Sequence, residues 1–242
     1  MQKISLRQVD IMHFSFVTLF PNLIKGYFEE SILKRAVDEE KISIDFYNPR
    51  DYTTDKHNRV DAPMVGGGAG MLMMPQPLMD TLAAIKKESP KAHIVFVTPV
   101  AKLFKQNDAK RLANKEHVVF VSGRYEGIDE RVIEAYADEV FSIGDFILTG
   151  GELPSLVMCD AISRNVEGVL GNIESLSVES YEDGFLEAPS FTKPVNYKNR
   201  KVVSEFLKGN HSKITDFKRD LALCKTKFFR PDLYKKGIKH EK

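Results

Sequence analysis

Signatures of several large protein classes are missing from this 242-residue chain. No apolar run approaches the roughly 18 residues that a membrane-spanning helix needs, and the N-terminus lacks the apolar core and cleavage site of a signal peptide. The only two cysteines, Cys159 and Cys224, lie far apart and match no metal-binding spacing. We therefore expect a cytoplasmic protein with reduced thiols and no metal site.

The common phosphate-binding motifs are missing as well. The glycine segment 66–71 (GGGAGM) is not followed by Gly-Lys-Ser/Thr, and it is not a GxGxxG turn after a strand. The acidic Gly-x-Gly loop expected of Rossmann-type methyltransferases is also lacking. Glycines permit backbone conformations that other residues avoid, so a hinge or a tight packing turn is as compatible with this segment as a ligand contact.

Charge is distributed unevenly along the chain, although the formal net charge is only +1. Residues 188–242 contain 15 Lys and Arg against 5 Asp and Glu, a net charge of +10, which leaves about −9 for residues 1–187. An asymmetry of this size indicates a polyanionic partner for the basic segment. A solvated helical surface is an equally good explanation of the charges alone.

Alternating strand and helix patterns predict an α/β fold with a parallel sheet and helices on both faces. The N-terminal half is expected to contain an apolar strand from Met12 to Pro21 and a strand at Ile42–Tyr47. Helical periodicity covers Asn22–Glu40 and Pro77–Lys87.

From His93 onward the expected order is strand, helix, strand, helix, strand. The three strands are predicted at His93–Val97, Val118–Val121 and Glu139–Ile143, with a helix at Lys102–Asn114. The strands are expected to end at Thr98-Pro99, Gly123-Arg124 and Gly144-Asp145. Because ligands of open α/β sheets bind beyond the carboxyl ends of strands, we expect a ligand site at these loops. These loops offer peptide groups and few fixed charges, which suits an adenosyl group better than a triphosphate.

Four motifs together resemble one enzyme family, the bacterial tRNA (guanine-N1)-methyltransferases, or TrmD family, of the SPOUT superfamily. They are GRYEGIDERV at 123–132, SIGDFILTGGELP at 142–154, the glycine segment, and GNH at 209–211. The first two are long and specific, and the resemblance covers nearly the whole chain from Met12.

The resemblance implies a parallel sheet with a deep trefoil knot, followed by a small, mostly helical C-terminal domain. It implies a cytoplasmic, S-adenosylmethionine-dependent homodimer with active sites at the subunit interface. The expected substrate is tRNA, methylated at N1 of guanosine 37, immediately 3′ of the anticodon, in support of reading-frame maintenance. The expected segments are an extension at 1–11 (with Met12 as an alternative start), the knotted methyltransferase domain at 12–169, a linker at 170–186 and a basic tRNA-binding domain at 187–242.

Cofactor-binding residues carried over from the family lie in the three loops. They are Thr98, Pro99, Gly123, Tyr125, Glu126, Gly127, Ile143, Gly144, Asp145, Phe146, Ile147, Leu148, Gly150, Gly151 and Pro154.

Two further residues match the family's catalytic pair. Arg164 matches the arginine on the helix after the knot, although an ion pair with Asp160 would explain it equally well. Glu179 stands where the family has an aspartate, and Asp183 is the alternative base. Asn210 and His211 are candidates for tRNA contacts or for a helix cap.

One segment departs from the family pattern, and two other functions stay open. Val60–Val65 lacks the adjacent acids and the aromatic residue that the family usually carries before its glycine segment. A different SPOUT enzyme would methylate ribose or ribosomal RNA, usually with an arginine and without a linker carboxylate. A catalytically inactive RNA-binding module would not need intact adenosyl-binding loops.

Overall fold

The computed structural model describes residues 11–172 and 179–240. The chain divides into two compact units, residues 1–171 and 172–242. The predicted extension lies outside the described residues except for Ile11, and so do residues 173–178 of the predicted linker. No described helix is long and apolar enough to cross a membrane.

The first unit is built on a parallel sheet of five strands, as the strand–helix alternation predicts. Its strands are β1 (Met12–Val17), β2 (Ile42–Tyr47), β5 (His93–Leu103), β6 (His117–Ser122) and β7 (Glu139–Ser142). A separate antiparallel hairpin is formed by β3 (Asp61–Pro63) and β4 (Met71–Met73). The strand order in the sheet is β2-β1-β6-β5-β7, and every neighbouring pair is parallel.

Helices cover both faces of this sheet. Strand β6 is buried along its whole length, with Val118 and Phe120 in one apolar cluster and Val119 and Val121 in the other. The helices are α1 (Asn22–Lys25), α2 (Ser31–Asp38), α3 (Pro75–Glu88), α4 (Gln106–Leu112), α5 (Glu130–Tyr136) and α6 (Glu152–Ser163), with 3-10 turns at Gly26–Glu29 and Pro49–Asp51. The predicted parallel sheet with helices on both faces is thus confirmed, while the knot stays a prediction.

Two sequence-based boundaries were wrong. The helix predicted at Asn22–Glu40 is interrupted, because Glu30 is extended and Ser31 has a φ of 60°. The interruption lets Phe28 and Leu33, from separate helical segments, both reach the core.

The end of β5 also differs from its prediction. This strand continues past Val97 to Leu103, and a register shift lies between Val97 and Lys102, which both pair with Phe141. The Lys102 ammonium lies 4.6 Å from the centre of the Phe141 ring, so Lys102 packs along the sheet instead of starting α4.

The second unit contains the helices α7 (His211–Phe229) and α8 (Pro231–His240). A small hairpin of β8 (Asn196–Tyr197) and β9 (Arg200–Lys201) precedes a 3-10 turn at Ser204–Leu207. Thr226 of α7 binds the segment that contains Leu186, because the buried Thr226 hydroxyl accepts a 2.8 Å hydrogen bond from the Leu186 N–H. The prediction of a mostly helical C-terminal domain did not include the hairpin, whose turn residues Lys198 and Asn199 both have positive φ.

Candidate functional site

A cavity of about 390 Å³ opens at the carboxyl ends of β6 and β7 and beside the irregular stretch inside β5. Three segments line it, one following or interrupting each strand. The lining residues are Phe96, Val97, Thr98, Pro99, Val100, Gly123, Arg124, Tyr125, Glu126, Gly127, Ile128, Glu130, Ile133, Ser142, Ile143, Gly144, Phe146, Ile147, Leu148, Thr149, Gly150, Gly151 and Pro154.

The loop after β6 has an unusual backbone. Tyr125 has a φ of 59°, a left-handed conformation that a bulky side chain rarely adopts, and Gly127 has a φ of 127°. Neighbouring β4 supports this loop: the Glu126 N–H donates to the Met71 carbonyl, and the Met73 N–H donates to the Gly127 carbonyl, each at 3.0 Å. The loop shape is therefore fixed by backbone contacts from a distant part of the sequence.

The loop after β7 packs directly against the loop after β6. The Gly151 N–H donates a 2.8 Å hydrogen bond to the Gly123 carbonyl. A Cβ atom at Gly151 would lie 2.8 Å from both the Gly123 nitrogen and the Ser122 Cα, so only glycine permits this approach. The same loop exposes Phe146 and Ile147, of which Ile147 is 79% exposed. Such a loop can enclose a flat, partly apolar ligand and still present peptide groups to its edge.

The segment inside β5 completes the cavity. Thr98 to Ala101 form the irregular stretch between the two paired parts of the strand, and Val100 is 90% exposed. Pro99 has no backbone N–H, which suits an unpaired position in a strand. The loop predicted at Thr98-Pro99 is therefore an interruption within a longer strand, and both residues still line the cavity.

A largely buried ion pair joins the cavity wall to helix α6. The Arg124 Nε donates to Glu152 Oε1 at 3.0 Å and lies 2.9 Å from Oε2, which accepts no directed hydrogen bond from the described residues. The Thr18 hydroxyl donates to Oε1 at 2.8 Å, and Glu152 is only 2% exposed. Arg124 also donates to the Thr149 carbonyl at 3.2 Å, and its guanidinium lies 4.7 Å from the centre of the Phe20 ring.

This ion pair shapes the electrostatics of the cavity. Because the Arg124 charge is matched by buried Glu152, the remaining charged groups in the lining are the carboxylates of Glu126 and Glu130. Among the described residues, no group of three or more His, Cys, Asp and Glu side chains is arranged to hold a metal ion. The two carboxylates and the apolar side chains of the lining favour an organic ligand with positive charge and apolar surface.

Fourteen of the fifteen residues predicted to bind the cofactor line this one cavity. The exception, Asp145, is exposed and does not belong to the lining. The prediction did not include Arg124, Glu130 and Thr149 among the polar lining residues, nor the supporting Glu152. Arg124 and Glu152 do lie inside the two long motifs, but only their contact in the fold reveals the ion pair.

The two predicted catalytic residues belong to different units. Arg164 follows the last residue of α6, and its N–H donates to the Asp160 carbonyl at 3.1 Å. The Asp160 carboxylate accepts a 2.7 Å hydrogen bond from the Tyr27 hydroxyl, which raises the pKa of that phenol. Glu179 is in the second unit, where its carbonyl accepts from the Glu182 N–H at 3.4 Å, and Asp183 is exposed there.

The second unit exposes aromatic and basic side chains together. Tyr197 is 61% exposed on the small hairpin, and the Lys198 ammonium lies 5.4 Å from the centre of its ring. Phe228 and Phe229 are exposed at the end of α7 beside Lys227. Asn210 caps α7, because its side-chain oxygen accepts a 3.1 Å hydrogen bond from the Lys213 N–H. The interpretation of Asn210 as a helix cap is thus confirmed.

Comparison with known proteins agrees with the resemblance found in the motifs. Residues 12–236 match the family described as tRNA (Guanine-1)-methyltransferase TrmD. A tRNA (guanine-N(1)-)-methyltransferase of Sulfurovum sp. (strain NBC37-1) is 81% identical over 94% of this chain and 100% of its own length.

Two other relatives carry the same name. The Sulfurimonas denitrificans protein is 67% identical over 91% of this chain and 96% of its own length. The Campylobacter curvus protein is 64% identical over 96% of this chain and its own full length. With this coverage and identity, the chain belongs to the TrmD family of tRNA (guanine-1)-methyltransferases.

Proposed function

We propose that this protein transfers a methyl group from S-adenosylmethionine to N1 of guanosine 37 in tRNA, immediately 3′ of the anticodon, and so supports reading-frame maintenance. Membership of the tRNA (guanine-1)-methyltransferase family gives the reaction class. The observation that supports S-adenosylmethionine as the methyl donor is the convergence of fourteen predicted adenosyl-binding residues on one cavity, while the guanosine at position 37 is what the family resemblance implies.

The cavity suits S-adenosylmethionine in size, shape and charge. Its volume of about 390 Å³ is within the range of roughly 300–1,000 Å³ typical of small-molecule sites. Peptide groups of the glycine-containing loops can bind the edge of the adenine, while Ile147 and Leu148 cover its face. The carboxylates of Glu126 and Glu130 match the positive charges of the sulfonium and ammonium groups. When bound, S-adenosylmethionine supplies a methyl group activated by its positively charged sulfur.

Transfer to guanine N1 requires a base, because this nitrogen carries a proton and is a poor nucleophile. In our proposal Glu179 removes that proton, and the Arg164 guanidinium stabilises the negative charge that develops on guanine O6. A glutamate differs little from an aspartate in basicity, but its carboxylate reaches about 1.5 Å further, one carbon–carbon bond. The backbone around Glu179 would therefore be set back from the guanine, and Asp183 is the alternative base.

A homodimer is part of this proposal, and an exposed apolar stripe supports it. On α6, Leu153 and Val157 are 55% and 46% exposed and are followed on the same face by Asp160. Leu23 and Tyr27 are also exposed, and Tyr27 bonds to Asp160, so the patch extends beyond one helix. Exposed apolar patches of this kind are typical of protein interfaces. Because Arg164 follows Asp160 by four residues, a partner on this patch would bring its surface close to the catalytic arginine.

The basic second unit is proposed to bind tRNA, since lysine and arginine neutralise phosphates and give an affinity that falls with salt.

We also propose a cytoplasmic location, because Cys159 and Cys224 are both free and suit a reducing compartment.

Methylation of tRNA transcripts tests the function directly. One transcript carries guanosine at position 37 and a matched transcript carries adenosine there, each supplied with S-adenosylmethionine bearing a labelled methyl group. We expect label only in the first, recovered as 1-methylguanosine on nucleoside mass spectrometry. Label on a ribose or at another position would refute the proposal in favour of a different SPOUT reaction.

A further inference from the structure

The glycine segment 66–71 has no assigned role in the proposed reaction, yet one of its glycines, Gly70, lies against a residue that lines the cavity. Gly66, Gly67, Gly68 and Gly70 all have positive φ, between 89° and 125°. A Cβ atom added at Gly66 or Gly67 would meet nothing within 4 Å. At Gly70 it would lie 2.6 Å from Cγ and 2.7 Å from Oε1 of Glu126. The space that any side chain at position 70 would need is therefore occupied by a cavity-lining glutamate.

Backbone contacts hold the two segments in this arrangement. Strand β4, which follows Gly70 directly, bonds to the loop after β6 through Met71 and Met73. The Asp129 N–H also donates to the Met73 carbonyl at 3.1 Å, and the fully buried Met73 pairs in parallel with Ile128. Since the backbones on both sides are fixed, the Glu126 side chain is the part that would move if position 70 carried a Cβ atom.

We infer that Gly70 is a positioning residue for Glu126. By lacking a side chain, it leaves room for the Glu126 side chain to lie against the glycine segment, beside the cavity that Glu126 lines. This inference rests on the proposed binding of S-adenosylmethionine, whose positive charges the carboxylate would face. A displaced carboxylate would weaken that attraction while the peptide contacts of the loops stay in place.

The chain offers a closely matched control for the test. Gly67→Ala introduces the same methyl group at nearly the same φ, 89° against 91° for Gly70, and therefore a similar backbone strain. Full-length wild type, Gly67→Ala and Gly70→Ala are compared by calorimetric titration with S-adenosylmethionine and by thermal unfolding. We expect Gly67→Ala to bind within about twofold of wild type, the scatter typical of uncoupled sites. We expect Gly70→Ala to bind roughly tenfold more weakly, a change of one decade in Kd, at a Tm close to that of Gly67→Ala.

A double-mutant cycle separates positioning from general damage to the fold. In a Glu126→Ala background there is no long side chain to displace, so adding Gly70→Ala should change Kd by no more than about twofold. The inference is overturned if Gly70→Ala behaves like Gly67→Ala, or if it costs the same factor with and without Glu126.

A second pair of substitutions allows the same comparison if the alanine variants fold poorly. Asparagine tolerates positive φ better than alanine, so Gly70→Asn and Gly67→Asn repeat the comparison with less backbone strain. The outcome is also separable from that of the proposed function. If the wild-type protein does not bind S-adenosylmethionine, the proposed function fails. If the wild type binds it and the Gly70 variant binds it equally well, only the inference about Gly70 is overturned.

Discussion

The cavity of the first unit and the basic surface of the second are built on different physical principles. In the cavity, two loops approach so closely at Gly151 that no Cβ atom fits, and the Arg124 charge is matched by Glu152. In the described part of the second unit, only Thr226 is fully buried, while Tyr197 and the lysines around it are exposed. In our proposal, recognition of S-adenosylmethionine in the cavity therefore depends on shape, and recognition of tRNA by the basic surface depends on summed charge. Single methyl groups should affect the first, and salt should affect the second.

The largest effect is expected at Glu179, the single group that the second unit contributes to the chemistry in our proposal. Glu179→Ala should reduce methyl transfer by roughly 10²–10⁴-fold, the usual contribution of a general base. S-adenosylmethionine should bind as before, because the cavity is formed within the first unit. Single-turnover methylation and calorimetric titration measure the two effects. Asp183→Ala is the matched control: loss of transfer in this variant, with Glu179→Ala fully active, would move the base to Asp183.

Charge reversal tests whether the second unit binds by summed charge. Lys198, Lys201 and Lys213 are exposed there, and changing all three to glutamate should weaken tRNA binding at least about tenfold. The slope of log affinity against log salt should become shallower by roughly 2–3, since each lost phosphate contact removes a little under one unit. Binding in filter assays at several salt concentrations gives both values.

The matched control changes three exposed lysines of the first unit to glutamate. Lys25, Lys56 and Lys87 are exposed there and lie outside the cavity lining. If their reversal lowered tRNA affinity and the salt slope as much as reversal in the second unit, tRNA binding would not be a property of the basic domain.

Gly151→Ala tests the dependence of the cavity on shape. The new methyl group would lie 2.8 Å from backbone atoms of Ser122 and Gly123, which cannot turn away as a side chain can. We expect a loss of about 1–3 kcal/mol in the free energy of unfolding, as is typical of overpacking, together with weaker binding of S-adenosylmethionine. Chemical denaturation and titration measure these effects. Gly171→Ala, which meets nothing within 4 Å, should be neutral, and equal effects would refute the shape argument.

The same contrast explains what could be predicted from the sequence. The parallel sheet, and the positions of its strands along the chain, could be predicted from apolar runs such as Val118–Val121. Strands that are buried on both faces are nearly continuous runs of apolar residues, which are easy to recognise. Most of the predicted cavity residues lie in two long motifs that are close together in the chain, whereas Thr98 and Pro99 lie at the end of a predicted strand. The Arg124–Glu152 pair and the contact between Gly70 and Glu126 join residues 28 and 56 positions apart, so no local pattern contains them.

Local patterns also failed where backbone conformation depends on tertiary contacts. The break at Ser31 and the continuation of β5 to Leu103 depend on packing of Phe28 and Lys102 against the sheet. In the second unit, the small hairpin turns through Lys198 and Asn199, neither of which is the glycine that usually marks such a turn. A mostly exposed unit has few apolar positions from which periodicity can be read.

Asn210 allows a finer test of the second unit. Its side chain caps α7, so Asn210→Ala should cost about 1 kcal/mol of stability, as lost N-caps usually do. If capping is its whole role, Asn210→Ser, which retains a capping oxygen, should restore both stability and tRNA affinity. Thermal unfolding and tRNA binding are compared for the two variants. Restored stability with persistently weak tRNA binding would show that Asn210 contacts the RNA as well.

The smallest effect on methyl transfer is expected from an ion-pair network on the sheet edge, at Glu139, which lies outside the cavity lining. Burial raises the pKa of this carboxyl group, but hydrogen bonds from Arg111 and His93 outweigh burial and lower the pKa from 4.5 to about 2. A lowered folded-state pKa means that the ionised group stabilises the fold above pH 4.5 and that this contribution is lost as pH falls toward 2. Glu139→Gln should therefore be less stable than wild type at pH 7, and the difference should shrink between pH 4.5 and 2. Denaturant unfolding across this range measures it. A difference that stayed constant with pH would assign the effect of the substitution to packing instead of charge.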